Sequence, residues 1–313
     1  MAGRHMNPFL CVYGHVCLDQ ILTLDKFPDP NTSVDLLEKH RYYGGTGANI
    51  AAVAASLGVP TALCSFVGPD FPQDFREFLV SKGVDLSEVV AVEGYETSTV
   101  LIVTNKDQDQ IAYVYQGPMR DMGKFERSME GAKKAKRVHI STGRPEYYIP
   151  LMRELKALGK RISFDPAQEI YRIWDRATFR EALPLADTFF CNKNELRAAL
   201  EYMGASRPED LLSYVDALIN TRGGEGSLLC TGKGSRRAPP AKPEKIVDPT
   251  GAGDAFRAGF YAGQYYGHDA VESLAYGNAA ASFVLESKGP QTNIPTWEMV
   301  ERRAESVLAA LER

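Results

Sequence analysis

The residues best placed to do chemistry form the run Asp248-Pro249-Thr250-Gly251-Ala252-Gly253-Asp254-Ala255-Phe256-Arg257. Gly251, Ala252 and Gly253 carry no bulky side chains, so several backbone N–H groups can converge just before a helix that reads from Asp254 onward. With the positive end of the helix dipole, such a turn is an anion hole. A carboxylate at the mouth of the hole would repel a phosphate that is merely bound there. It makes sense as a base. Asp254 would take a proton from a hydroxyl while the amides hold charge developing on a transferred phosphoryl group. Read alone, the segment also fits a plain helix start capped by Asp. The apolar pair Ile246-Val247 just before it reads as the end of a strand.

A second Gly-rich run, Gly44-Gly45-Thr46-Gly47-Ala48-Asn49-Ile50-Ala51, lies near the other end of the chain and is followed by Gly58 and Gly68. With both runs in this order, the chain resembles the PfkB (ribokinase-like) family of carbohydrate and nucleoside kinases from about Cys11 to Trp297. The resemblance implies Mg²⁺-dependent phosphoryl transfer from ATP, with Asp254 as base and Gly251, Ala252 and Gly253 as the anion hole. It implies that Asp19 binds sugar hydroxyls, with Gly45 and Asn49 completing that site. Asn192-Lys193-Asn194-Glu195 matches the family's N-x-x-E, which makes Glu195 a Mg²⁺ residue acting through water and places Asn192 near the phosphates. Thr221, Gly223 and Gly226 match its T-x-G-x-x-G nucleotide segment, and Asn278 with residues 281–284 falls where the adenine pocket lies. Asp248, Thr250, Val284 and Gly289 fall where relatives hold K⁺.

Each of these has a plainer alternative. Asn192 ahead of Glu195 is also a capping-box pattern, Asp19 suits a turn, and the segment 221–227 suits a hairpin. His15 and Cys17 read as packing. No Walker A motif and no protein-kinase H-R-D or D-F-G set is present.

Four further segments, 26–33, 42–45, 164–168 and 288–297, resemble archaeal-type nucleoside kinases. They shift the expected acceptor from a free sugar to the 5′-hydroxyl of a nucleoside. Gln168 would reach the far side of that substrate. Tyr42, Tyr43, Tyr113 and Tyr115 would stack on its base, or else simply cover a small sheet. Arg144 and Arg120 would instead suit a phosphate on the acceptor, as in a sugar or sugar-phosphate kinase acting on ribose, ribose 1-phosphate or fructose 6-phosphate. An inactive nucleotide-binding regulator on the same fold is a third reading. The intact Asp254 argues against it.

The elements that must position these residues alternate. Short apolar strands and helices closed by Gly58, Gly83, Gly159 and Gly204 predict an α/β domain over residues 7–313: a central, mostly parallel sheet flanked by helices. Two β-rich pieces, 19–43 and 97–115, break that rhythm. The resemblance makes them a small β lid over the substrate, whose outer face is a candidate homodimer surface. At 313 residues and 44% hydrophobic, the chain can bury one large core. A net charge of −4 gives no basic excess for a nucleic-acid polymer. No apolar run approaches the roughly 20 residues of a membrane span. Cys11, Cys17, Cys64, Cys191 and Cys230 are scattered with no C-x-x-C pair, and read as buried thiols of a cytoplasmic protein. Residues 1–6, Met-Ala-Gly-Arg-His-Met, read as a cloning remnant.

Overall fold

The computed structural model describes residues 7–311 apart from Gln108, so residues 1–6, read above as a cloning remnant, lie outside the described residues. In chain order the strands are β1 Leu10–Tyr13, β2 Cys17–Leu24, β3 Leu36–Gly44, β4 Thr61–Val67, β5 Val84–Ala91, β6 Thr99–Thr104, β7 Gln110–Tyr115, β8 Arg137–Ile140, β9 Arg161–Phe164, β10 Thr188–Asn192, β11 Ala217–Thr221, β12 Ser227–Thr231 and β13 Gly234–Ala238. The α-helices are α1 Thr46–Ser56, α2 Gln73–Ser81, α3 Glu130–Lys134, α4 Pro145–Ala157, α5 Arg176–Ala182, α6 Lys193–Met203, α7 Ala252–Tyr265, α8 Ala270–Val284 and α9 Trp297–Leu311.

The large sheet runs β13-β12-β11-β10-β9-β8-β1-β4-β5 and is parallel from β11 to β5, with β12 and β13 antiparallel at one edge. Its central strands are buried on both faces, which is why β4 reads as a continuous run of small and apolar residues. Alternate side chains of β1 feed two cores. Leu10 and Val12 join the layer of α1, α2, α7, α8 and α9, while Cys11 and Tyr13 join the layer of α3 to α6. All five cysteines are buried. Among the described residues, no helix is long and apolar enough to cross a membrane.

The two rhythm-breaking pieces do pair. They form a separate sheet in the order β3-β2-β6-β7, with β2 and β6 parallel and β3 and β7 antiparallel on the edges. The expected hairpin joins β6 to β7, and Asn105 N–H donates to the Asp109 carbonyl at 3.1 Å.

Two expectations change, and two strands are added that were not anticipated. Ile246 and Val247 belong to no strand. They are exposed, and Val247 N–H reaches the Leu285 carbonyl at 2.8 Å, so the approach to α7 is an extended loop tied to the end of α8. The helix after it starts at Ala252, not Asp254. Strands β5 and β13 are the two added: β13 is an exposed edge, and β5 has solvated positions between buried ones.

Candidate active site

Strand order reverses beside β1, between the run toward β8 and the run toward β5. In open parallel sheets, ligands bind outside the carboxyl ends of the strands at such a reversal. The segments leaving those ends here are 14–19 after β1, 141–144 after β8, 165–168 after β9, 192–195 after β10 and 221–226 after β11. His15 Nδ1 and Thr142 Oγ1, 2.8 Å apart, tie the first two together.

A cavity of about 410 Å³ opens there, between the large sheet and the inner face of the small one. Asp19, Gly45, Asn49, Gln168, Thr250, Gly251 and Asp254 all line it, residues drawn from parts of the chain far apart in sequence, whereas Ala252 and Gly253 are not among the lining residues. Asp19 stands on β2, and its carboxylate packs where a Cβ on Gly44 would be. Burial pushes it up to about 6, against the Cys17 thiol, which lowers it. Gly45 caps α1 at φ +92°, with its α-carbon turned onto the His15 carbonyl, an arrangement only glycine tolerates.

Asp254 stands in the first turn of α7. Gly251 precedes that helix at φ +79°, packed on Pro290. Among the described residues, the N–H groups of Gly253 and Asp254 have no acceptor and are the free donors of a helix start. Asn49 Nδ2 donates to Asp254 Oδ2 at 2.7 Å. Burial pushes the Asp254 carboxyl up to about 7, with Asn49 and Arg257 opposing. A carboxyl raised that far holds its proton more tightly than a solvated aspartate does.

Under this turn lies a buried ion pair. Arg257 donates Nε to Asp165 Oδ2 at 2.6 Å and Nη2 to Oδ1 at 3.2 Å, and its Nη1 donates to the Gly253 carbonyl at 3.0 Å. His139 Nε2 lies 3.4 Å from Asp165. Burial alone would raise Asp165, but Arg257 and His139 outweigh it and hold the carboxyl at about 2. Because Arg257 grips the carbonyl of the peptide whose N–H belongs to Asp254, it orients one of the free donors at the start of α7. Arg257→Met strands a buried carboxylate, and the expected cost is about 3–5 kcal/mol of stability. Urea unfolding measures this, and a loss under 1 kcal/mol would contradict it.

A family pattern described as pfkB family carbohydrate kinase matches residues 7–297. The chain belongs to the PfkB family. A nucleoside kinase from Methanocaldococcus jannaschii is 36% identical over 97% of this chain and 98% of its own. The solved structure of the M. jannaschii nucleoside kinase, an archaeal member of the ribokinase family, superposes with a TM-score of 0.89 at 36% identity, covering 95% of this chain and 98% of that one. A nucleoside kinase from Burkholderia thailandensis in complex with inosine superposes with a TM-score of 0.85 at 26% identity, covering 96% of this chain and 97% of that one. The fold is ribokinase-like, and the chain is a kinase of this family.

Asn192, Glu195, Thr221, Gly223, Gly226, Asn278, Asp248, Val284 and Gly289 are not among the residues lining the cavity, and each has a structural place of its own. Asn192 caps α6: its Oδ1 accepts from Asn194 and Glu195 N–H, while Glu195 Oε2 and Oε1 accept from Asn192 N–H and Nδ2 at 2.7 and 2.8 Å. The capping box is real, and its buried Glu195 carboxyl is raised by burial and by Asp165. Thr221, beside Asn192 in the β10–β11 register, opens a hairpin turn through Gly223 and Gly226. Asn278 Nδ2 donates to the Pro239 carbonyl at 2.8 Å and holds the chain after β13. Asp248 draws Thr250 N–H and Gly289 N–H onto its two oxygens, each at 2.9 Å, beside the Val284 end of α8.

Several expectations are corrected. His15 and Cys17 are not mere packing, since both line the cavity. His15 Nε2 sits 2.7 Å from Gln116 Oε1, and Gln116 Nε2 donates to Glu169 Oε1 at 3.3 Å. Gln116, Thr142 and Glu169 were not singled out in the sequence. Their convergence depends on the small sheet folding over β8 and β9, which no local pattern encodes. On β7, Ala112 and Val114 face the cavity, so Tyr113 and Tyr115 project from the opposite face and cannot stack on a base inside. Tyr43 is stacked on Phe75, with ring centroids 4.2 Å apart, and Tyr42 packs on Gly289. Neither Arg144 nor Arg120 is among the lining residues. The guanidinium that lines the cavity is Arg172, 3.8 Å from Glu169.

Proposed function

We propose that this PfkB kinase transfers the γ-phosphoryl group of ATP to the 5′-hydroxyl of a nucleoside. The observation that carries the proposal is the meeting, in one cavity, of Asp254 at a helix start with free N–H groups and Asp19 on the small sheet. Both have a task in this reaction. Asp19 accepts hydrogen bonds from ribose hydroxyls and sets the ring's orientation. Asp254, with Oδ2 held by Asn49, accepts the 5′-hydroxyl proton on Oδ1. The free N–H groups of Gly253 and Asp254 hold the phosphoryl oxygens as charge moves, while the Ala252 N–H is engaged with the Pro249 carbonyl at 3.2 Å. The similarity to nucleoside kinases, one of them described with inosine, supports a nucleoside acceptor. The aliphatic wall of Val100, Ile102, Ala112 and Val114 suits the face of a base, and Gln168, Gln116 and Glu169 supply polar groups for its edge.

ATP would lie along Asn192, Thr221, Gly223, Gly226 and Asn278. Mg²⁺, which would neutralise the triphosphate oxygens, fits water-mediated contact with Glu195, whose carboxylate is fixed by Asn192 and keeps unused lone pairs. The loop gathered by Asp248, with Thr250, Val284 and Gly289, suits K⁺. An assay of ADP formation with ATP and Mg²⁺ against nucleosides, ribose, ribose 1-phosphate and fructose 6-phosphate tests the reading. A nucleoside should give the highest kcat/KM, and preference for a sugar phosphate would overturn it.

The small sheet acts as a lid in this scheme. Nucleoside binding should slow hydrogen exchange in β2, β3, β6 and β7, as closure expels water from the cavity. Unchanged exchange in those strands with nucleoside bound would remove the lid. Its outer face, with Leu37, Ile111, Tyr113 and Tyr115 exposed, is the surface we assign to a homodimer, in a cytoplasmic enzyme.

A further inference from the structure

We propose that Gln291 is a positioning residue for the base: acting through Asn49, it fixes which oxygen of Asp254 meets the substrate hydroxyl. This deepens the phosphotransfer reading above and rests on it. Three side chains from distant parts of the chain form one line. Gln291 Nε2 donates to Asn49 Oδ1 at 2.7 Å, and Asn49 Nδ2 donates to Asp254 Oδ2 at 2.7 Å. Asn49 and Asp254 line the cavity, whereas Gln291 is buried behind them and is not among its lining residues.

An amide is a donor at one end and an acceptor at the other, and a half-turn exchanges them. If Asn49 turns alone, its Oδ1 faces the carboxylate and its Nδ2 faces the Gln291 amide nitrogen, so both hydrogen bonds are lost. If the two amides turn together, Asn49 Oδ1 still faces the ionised carboxylate, which repels it. The pair therefore holds one orientation while Asp254 is ionised, the state in which it works as a base. Oδ2 is occupied, and Oδ1 is left for the hydroxyl. Asn49 is buried, so without Gln291 its Oδ1 would lack a partner and its hold on Asp254 would loosen. The other charged groups acting on Asp254 are Arg257 on its own helix, Asp165 after β9 and Glu195 on α6. None is altered, and no charge is added, in Gln291→Met, so a change in the titration of Asp254 in that variant reports on the Asn49 donor.

The test compares Gln291→Met and Gln291→Glu with the wild type, and repeats Gln291→Met in an Asn49→Ala background. Gln291→Met keeps the side chain's length but removes the amide. It should lower kcat by roughly 10-fold, leave KM for ATP unchanged, and move the acid limb of kcat/KM to higher pH. Gln291→Glu is closer in shape, yet a carboxylate there turns Asn49 round by attracting its NH₂, so its loss should exceed that of Gln291→Met. With Asn49→Ala already in place, Gln291→Met should cost nothing further. A role in packing alone predicts the reverse order of the two variants and additive losses. A wild-type kcat and acid limb in Gln291→Met, a milder effect of Gln291→Glu, or additivity with Asn49→Ala would each overturn the proposal. Asp254→Asn serves as the control. If it is inactive while Gln291→Met behaves as wild type, the positioning role alone fails. If Asp254→Asn remains active, the base assignment fails and takes this inference with it.

Discussion

Asp254→Asn is expected to lower kcat by about 100- to 10,000-fold, the usual span for removing a general base, while KM for ATP changes little. The amide keeps the shape of the carboxylate and leaves the backbone donors of α7 in place, so donor binding is retained and only the proton acceptor is lost. The same substitution should raise the melting temperature at pH 8. The folded-state pKa of Asp254 is raised from 3.8 to about 7, so ionising it costs the native state stability above pH 7. That gain should shrink as the pH falls through 7 and disappear below 3.8, where the carboxyl is protonated in both folded and unfolded chains. Wild-type kcat/KM should fall on the acid side of about pH 7 for the same reason. A variant with near-normal kcat, or with no pH-dependent gain in melting temperature, would contradict the assignment.

Asp19→Ala should raise KM for the nucleoside far more than KM for ATP, and 2′-deoxynucleosides should be poor substrates of the wild type. Both follow from one geometry. A buried carboxylate that normally accepts from ribose hydroxyls is left unpaired when a hydroxyl is missing, at about 1–3 kcal/mol, or roughly 5- to 150-fold in kcat/KM. The two effects should not add. In Asp19→Ala, ribo- and deoxynucleosides should be handled almost alike, because the group that tells them apart is gone. Equal turnover of the two by the wild type would show that Asp19 does not hold the ribose.

The parts of the site that could be read from the sequence are those made by local backbone chemistry. The glycines at 45 and 251 mark helix starts reached from φ values that other residues avoid, and each brings a carboxylate or amide beside it into the cavity. Asn192 and Glu195 are three residues apart, so their capping box was legible too. What was hidden depended on which face of an element meets which neighbour. The alternation along β7 hands the cavity Ala112 and Val114 and sends the tyrosines outward, a register choice fixed only by pairing with β6. His15, Gln116 and Glu169 come from three regions that the sheet order brings together. Asn49 was read as a substrate ligand through its motif, and only the packing of α1 beside α7 showed that it also holds Asp254. Arg257 is a further case. A charge inside an apolar helix looks misplaced until Asp165, from the end of β9, arrives to pair with it.

The most direct measurement is to incubate the protein with ATP, Mg²⁺ and inosine, and with 5′-deoxyinosine in parallel, and to locate the transferred phosphate by phosphorus NMR. The account predicts one nucleoside 5′-monophosphate for each ADP formed, and no phosphorylated product from the 5′-deoxy compound. Phosphate appearing at another position, or ADP formed at the same rate with 5′-deoxyinosine, would contradict transfer to a 5′-hydroxyl activated by Asp254.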